Sequence, residues 1–290
     1  MTEPSVATAP VDPSPRARPM PTLAASAARV FDLSLGLMLW SRRTIFMALV
    51  VGGPVLIALA VRALDALGVP VMRVGRSEAS GPAVFGVMVW IFYLRFTVPV
   101  LAVFYGTALV ADEVEDRTIT YLFTRPIRRG AVLLGKYLAY LACTGLVVLP
   151  SVMIVFFLIV PRGGTLAGGF PALVADLAIL GAGLAVYGAL FAFVGARFKR
   201  PLVTGLVFLF GWEPAALVFP GYLKKLTVAH YLQALVPHAM PADSAIALLQ
   251  QVFRDVPSPG TCLAVLGIML AGFLLLAVQV VERREYVLEQ

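Results

Sequence analysis

The chain has 290 residues, 60% of them hydrophobic and 13% charged, with a mean hydropathy of +0.91 and a formal net charge of +7. Soluble domains carry ~25% charged residues, so that class is excluded. Two cysteines and two histidines offer neither a disulfide framework nor metal-type His/Cys spacing, and a positive balance is what the cytoplasmic loops of membrane proteins collect, so it does not argue for nucleic acid.

Residues 1–21 hold six prolines and no apolar run, which predicts a disordered cytoplasmic tail rather than a signal peptide. Residues 22–290 are expected to form one transmembrane domain. In Thr22–Arg43 the residues Ser26, Arg29, Asp32 and Gly36 recur on one side of a helix, and Ala27, Val30, Phe31, Leu37 and Trp40 fill much of the other. That spacing predicts a weakly amphipathic helix in the inner interface, anchored by Trp40, Arg42 and Arg43. A plain extension of the first span is the other reading.

Charge-free runs follow at Thr44–Val61, Tyr137–Val160, Leu177–Ala196 and Thr261–Val281, while Ala83–Ala111 contains only Arg95 and Pro201–Pro220 only Glu213. Each is close to the ~20 residues that cross a bilayer core. The expected fold class is therefore all-α: a polytopic membrane protein with six transmembrane helices, near 44–62, 83–111, 137–160, 173–196, 201–220 and 261–281. Pro54, Pro99 and Pro150 predict kinks in the first three. In the fourth, Gly181, Ala185 and Ala189, with Gly188, Ala192 and Ala196 beside them, form a small-residue face. Such a face serves packing within one bundle or a seam between two copies. Trp212-Glu213-Pro214 is a candidate break in the fifth span. Gly221–Gly260 is too polar to cross and shows helical apolar spacing, which predicts short external helices before the last span. With the N-terminus inside, fifteen Lys and Arg fall in cytoplasmic segments and seven in external ones. Both termini are thus expected on the cytoplasmic side of the cytoplasmic (inner) membrane.

The connector Asp112–Tyr137, DEVEDRTITYLFTRPIRRGAVLLGKY, is the most distinctive segment. Its GAVLLGK run fits part of a phosphate-binding loop, but Tyr137 stands where a Ser or Thr would hold magnesium, and no strand precedes it. No catalytic ATPase residues are expected in the chain. DEVEDR resembles the E-E-x-x-x-R motif of membrane-embedded CAAX-type proteases, whose chemistry also needs membrane histidines; here His230 and His238 fall on the opposite side. Read whole, Asp112, Glu113, Glu115 and Asp116 suit the first turn of a helix, Arg125-Pro126 breaks it, and Pro126 opens a second helix. Arg128, Arg129 and Lys136 reach the inner headgroups.

The run E-D-R-T-x-T-Y-L-x-x-R-P-x-x-R followed by L-L-G-K-Y-L-A-Y closely resembles the permease subunits of ATP-binding-cassette (ABC) transporters of the second, export-type class. Arg117 stands where those proteins usually carry Gly before Thr118. The resemblance implies a membrane subunit with no ATP site of its own. A separate P-loop ATP-binding subunit would dock on a cytoplasmic coupling helix between spans two and three, and a second permease copy, identical or related, would pair with this one. It implies Glu113, Glu115, Asp116, Thr118 and Tyr121 as docking residues, and Arg125, Pro126 and Arg128 as residues that set the hairpin angle. No cofactor or metal is expected in the chain. A membrane scaffold docking a cytoplasmic partner through the same insert, and a secondary transporter, are the rival readings.

Arg95 and Glu213 remain inside the apolar spans, both in the outer half. A lone Arg at bilayer depth costs ~2.5–3.5 kcal/mol on insertion scales, so it faces a partner or a polar path. The two are expected to pair or to line the substrate path.

Overall fold

The computed structural model describes residues 23–40, 42–68, 73–74, 77–78, 80–115, 129–161, 163–218, 222–238 and 257–283. The Pro-rich segment 1–21, most of the connector, and the second of the expected short external helices lie outside these residues. The described chain is helical apart from a two-stranded hairpin, β1 (Arg73–Val74) and β2 (Ser77–Glu78). Five helices are long and apolar enough to cross a membrane, and Pro201–Ala216 is apolar but shorter.

Helix α1 (Leu23–Leu39) leads into α2 (Arg42–Ala66) through a tight corner. There the Thr44 hydroxyl lies 2.8 Å from the Met38 carbonyl and 2.9 Å from that of Leu39, satisfying groups that a helix end leaves orphaned. Helix α1 exposes Arg29, Asp32 and Gly36 on one side and Leu37 and Trp40 on the other. Ser26, Ala27 and Ser34 are buried, whereas Leu33, Leu37 and Trp40 are exposed. The reason is close approach to α4 (Arg129–Ile159): a Cβ on Gly135 would sit 2.6 Å from the Ala27 carbonyl oxygen and 2.9 Å from the Val30 Cβ. Small residues let backbones meet, and in a bilayer the large apolar side chains lose nothing by facing lipid.

Helix α3 (81–115) runs the other way and is not uniform. It contains π-helical segments at Val89–Thr97 and Ala102–Gly106. The first lies just before Pro99, and the Val98 N–H bonds to the Tyr93 carbonyl five residues back. Proline has no N–H for the residue four positions earlier, so the helix widens locally instead of breaking. The same device recurs in α6 (201–218), where Phe208–Trp212 is π-helical and Pro214 follows. The candidate break at Trp212-Glu213-Pro214 is therefore a widened turn, and the helix continues to Val218.

Helix α5 (Leu166–Arg197) is the central post, opened by a Thr165 hydroxyl that accepts the Gly168 N–H at 3.3 Å. Its apolar stretch is 67% buried and that of α3 61%, against 28% for α2 and 17% for α8 (Pro259–Arg283). The inner pair is thus α3 and α5, with α2 and α8 largely exposed on the outside of the described bundle. Tyr137 and Tyr140 of α4 donate to the Ala185 and Leu184 carbonyls of α5 at 2.7 and 3.0 Å. Gly188 makes room for the Tyr140 ring, and Ala189, Ala192 and Ala196 are fully buried. Much of the small-residue face of α5 is consumed inside one bundle. Between α6 and α8, a 3-10 turn (Tyr222–Leu226) and helix α7 (Val228–Leu235) close the end of the bundle opposite the connector.

Candidate functional site

Four elements converge on one cavity of about 170 Å³. The π-segment of α3 contributes Leu94 and Arg95, and α5 contributes Tyr187. The π-segment of α6 and the turn after it contribute Leu209, Phe210, Glu213 and Pro214, while Ala229 closes the cavity from α7. Glu213 is 5% exposed. Its Oε1 accepts the Tyr187 hydroxyl and, at 3.3 Å, the Ala229 backbone N–H. Arg95 stands on the other wall, its guanidinium carbon 6.0 Å from the centroid of the Trp90 ring. Cation–π contact at that range is weak but favourable. The two expected intramembrane charges therefore line the same space, each held first by groups on its own side.

A second buried polar contact lies nearer the end closed by α7. His238 Nε2 meets Asp176 Oδ2 at 2.6 Å. The imidazole ring stands edge-on to Phe85, with centroids 5.6 Å apart, and a Cβ on Gly86 would fall 2.7 Å from its Cβ and Cγ. The chain after α7 is thereby fixed onto α3 and α5.

At the opposite end lies the root of the connector. Helix α3 ends at Glu115 and α4 begins at Arg129. Lys136 Nζ donates to the Leu109 carbonyl at 3.3 Å and ties the two together. Glu113 and Glu115 sit in the last turn of α3. Asp116, Thr118, Tyr121, Arg125, Pro126 and Arg128 lie outside the described residues.

The glycines of GAVLLGK have packing roles. Gly135 admits α1, and at Gly130 a Cβ would stand 3.0 Å from both Glu282 Oε1 and Val278 Cγ1 of α8. Both sit within α4, where no phosphate-binding turn is formed. Gly135→Val is expected to push α1 off α4 and cost about 1–3 kcal/mol, read as a lower unfolding temperature in detergent; an unchanged midpoint would contradict the close contact.

The sequence pattern of the family described as ABC-2 family transporter protein matches residues 20–286, most of the chain. The chain belongs to the ABC-2 transporter family. No curated protein is significantly similar to it. As an ABC-2 membrane component it is a multi-pass membrane protein of a family whose members lack ATPase domains, and membership implies an ATP-binding partner.

Sequence reasoning named Arg95 and Glu213 but missed Tyr187 and the Asp176–His238 contact. Asp176 carried a usable signal, since a lone carboxylate in an apolar helix needs a partner. Tyr187 carried none, because a tyrosine among small residues reads as core.

Proposed function

We propose that this chain is the membrane-spanning permease subunit of an ATP-driven exporter in the cytoplasmic membrane. It has six spans, with Pro201–Ala216 as the core of the fifth. The connector end and both termini face the cytoplasm. A separate P-loop ATPase docks on the connector through Glu113, Glu115, Asp116, Thr118 and Tyr121, while Arg125, Pro126 and Arg128 set its angle. A second permease copy completes the pathway. ATP is bound by the partner, and the work of this chain is conformational.

The observation that carries this reading is the rigid root of the connector. The Lys136–Leu109 bond couples α3 to α4 beside it, and the Gly135 contact couples α4 to α1. Force on the connector is thus delivered to three helices at once, among them the one that holds Arg95.

The test is purification of the tagged chain from its native membrane in mild detergent, with mass spectrometry of what accompanies it. A near-stoichiometric P-loop ATPase is expected, and Glu113→Lys/Glu115→Lys is expected to reduce its recovery at least about tenfold, the equivalent of ~1.4 kcal/mol of docking energy. Absence of an ATPase from the intact chain in several detergents would overturn the reading in favour of a scaffold or a secondary transporter.

A further inference from the structure

We propose that the cavity between Arg95 and Glu213 binds a zwitterionic amphiphile, its ammonium on the Glu213 carboxylate and its anionic group on the Arg95 guanidinium. As a statement of what is transported, this rests on the permease reading; as a statement of binding, it does not.

Four observations carry it. First, the carboxylate is aimed. Both of its hydrogen bonds enter at Oε1, from the Tyr187 hydroxyl and the Ala229 N–H. Oε2 is not among the fully buried unpartnered atoms, and Glu213 lines the cavity, so Oε2 is the oxygen presented to it. Two donors on one oxygen fix the orientation of the carboxyl group and leave its other oxygen for an ammonium, a charge-assisted contact stronger than a neutral one.

Second, the opposite wall carries the opposite charge. Arg95 is in hydrogen-bonding or ion-pair contact with no carboxylate among the described residues, and its aromatic neighbour, Trp90, leaves the guanidinium donors unused. Charges in an apolar bundle are costly unless matched. A cation and an anion facing each other across a space, instead of touching, are matched by an occupant that carries both signs.

Third, the walls are built around prolines. Pro99 and Pro214 both line the cavity, and each follows a π-helical segment. π-helical segments inside α-helices often mark functional sites. Here two of them, in helices running in opposite directions, widen towards the same space and place Arg95 and Glu213 on it.

Fourth, the cavity opens on the outer surface of the described bundle. Phe210 lines it and is 58% exposed, and Arg95 is itself exposed. Leu94 and Leu209 supply apolar lining. A ligand that leaves its tails in the bilayer and inserts only its headgroup fits this arrangement; a fully hydrophilic solute does not.

Trp90, 6.0 Å from Arg95, and Trp212, next to Glu213 in the sequence, serve as reporters. The experiment uses the full chain carrying Trp40→Phe, in nanodiscs of phosphatidylglycerol, and follows tryptophan fluorescence as three probes are added. They are dihexanoyl phosphatidylethanolamine, dihexanoyl phosphatidic acid and octylamine. The zwitterionic probe is expected to bind saturably and about tenfold tighter than either singly charged probe. Glu213→Gln is expected to reduce it to the level of phosphatidic acid, and Arg95→Gln to that of octylamine. Equal affinity for the three probes on the unsubstituted cavity overturns the proposal, as does unchanged selectivity in Glu213→Gln. If that variant does not fold, the three-probe comparison decides alone. The ATPase is absent throughout, so a chain that recruits an ATPase but lacks this selectivity refutes the site only. A chain that shows the selectivity but recruits no ATPase refutes the permease reading only.

Discussion

His238→Ala is expected to destabilise the protein by about 3 kcal/mol, a large loss for the truncation of one side chain. Asp176 is 1% exposed. Its Oδ2 has the imidazole at 2.6 Å, and its Oδ1 has no hydrogen-bond partner. Removing the ring leaves a buried carboxylate with neither oxygen satisfied, and also removes the edge-on contact with Phe85. The effect is expected as a lower unfolding temperature in detergent and faster proteolysis between 222 and 238. The double variant Asp176→Leu/His238→Leu is expected to recover most of the loss, because two apolar groups can replace a buried polar pair at little cost. Strictly additive losses in a double-mutant cycle would show that the two residues do not act as a unit.

The bundle was legible in the sequence because a bilayer leaves the backbone few choices: long charge-free runs must be helices. Their internal irregularities were half legible. Pro99 announced a disturbance, but a kink and a π-turn both relieve a missing N–H, and neighbours decide between them. For Pro214 the same ambiguity suggested a break, and packing of Glu213 against Tyr187 and Ala229 instead keeps the helix going. The spacing in α1 showed a helix with two sides but not which residues meet a neighbouring helix: the tightest contact goes to whatever is smallest, here Ser26, Ala27 and Ser34 on the side that meets α4 at Gly135. Contacts across long separations, such as His238 to Asp176, carry no local periodicity at all.

Two glycines of α5 with opposite surroundings give the other large expected effect. At Gly195 a Cβ would stand 2.5 Å from the Thr107 carbonyl oxygen and 3.1 Å from its carbon and Cα. Backbone cannot swing aside as a side chain does, and Thr107 is further fixed by its hydroxyl bond to the Val103 carbonyl at 2.6 Å. Gly195→Ala must therefore part α3 from α5, at a cost of about 1–3 kcal/mol that exceeds the ~1 kcal/mol gained in helix propensity. Gly181 has nothing within 4 Å, and Val174 and Ala178 on the same side are exposed. Gly181→Ala should keep the propensity gain and raise the unfolding temperature. The contrast tests the packing reading of the small-residue face within a single helix: equal effects at 181 and 195 would refute it. Gly181→Leu then asks what the open side meets. If a second copy seats there, the larger side chain should lower the dimeric fraction on cross-linking while leaving thermal stability unchanged. If only lipid covers it, the dimeric fraction should stay as it is, and the pairing surface lies on another helix.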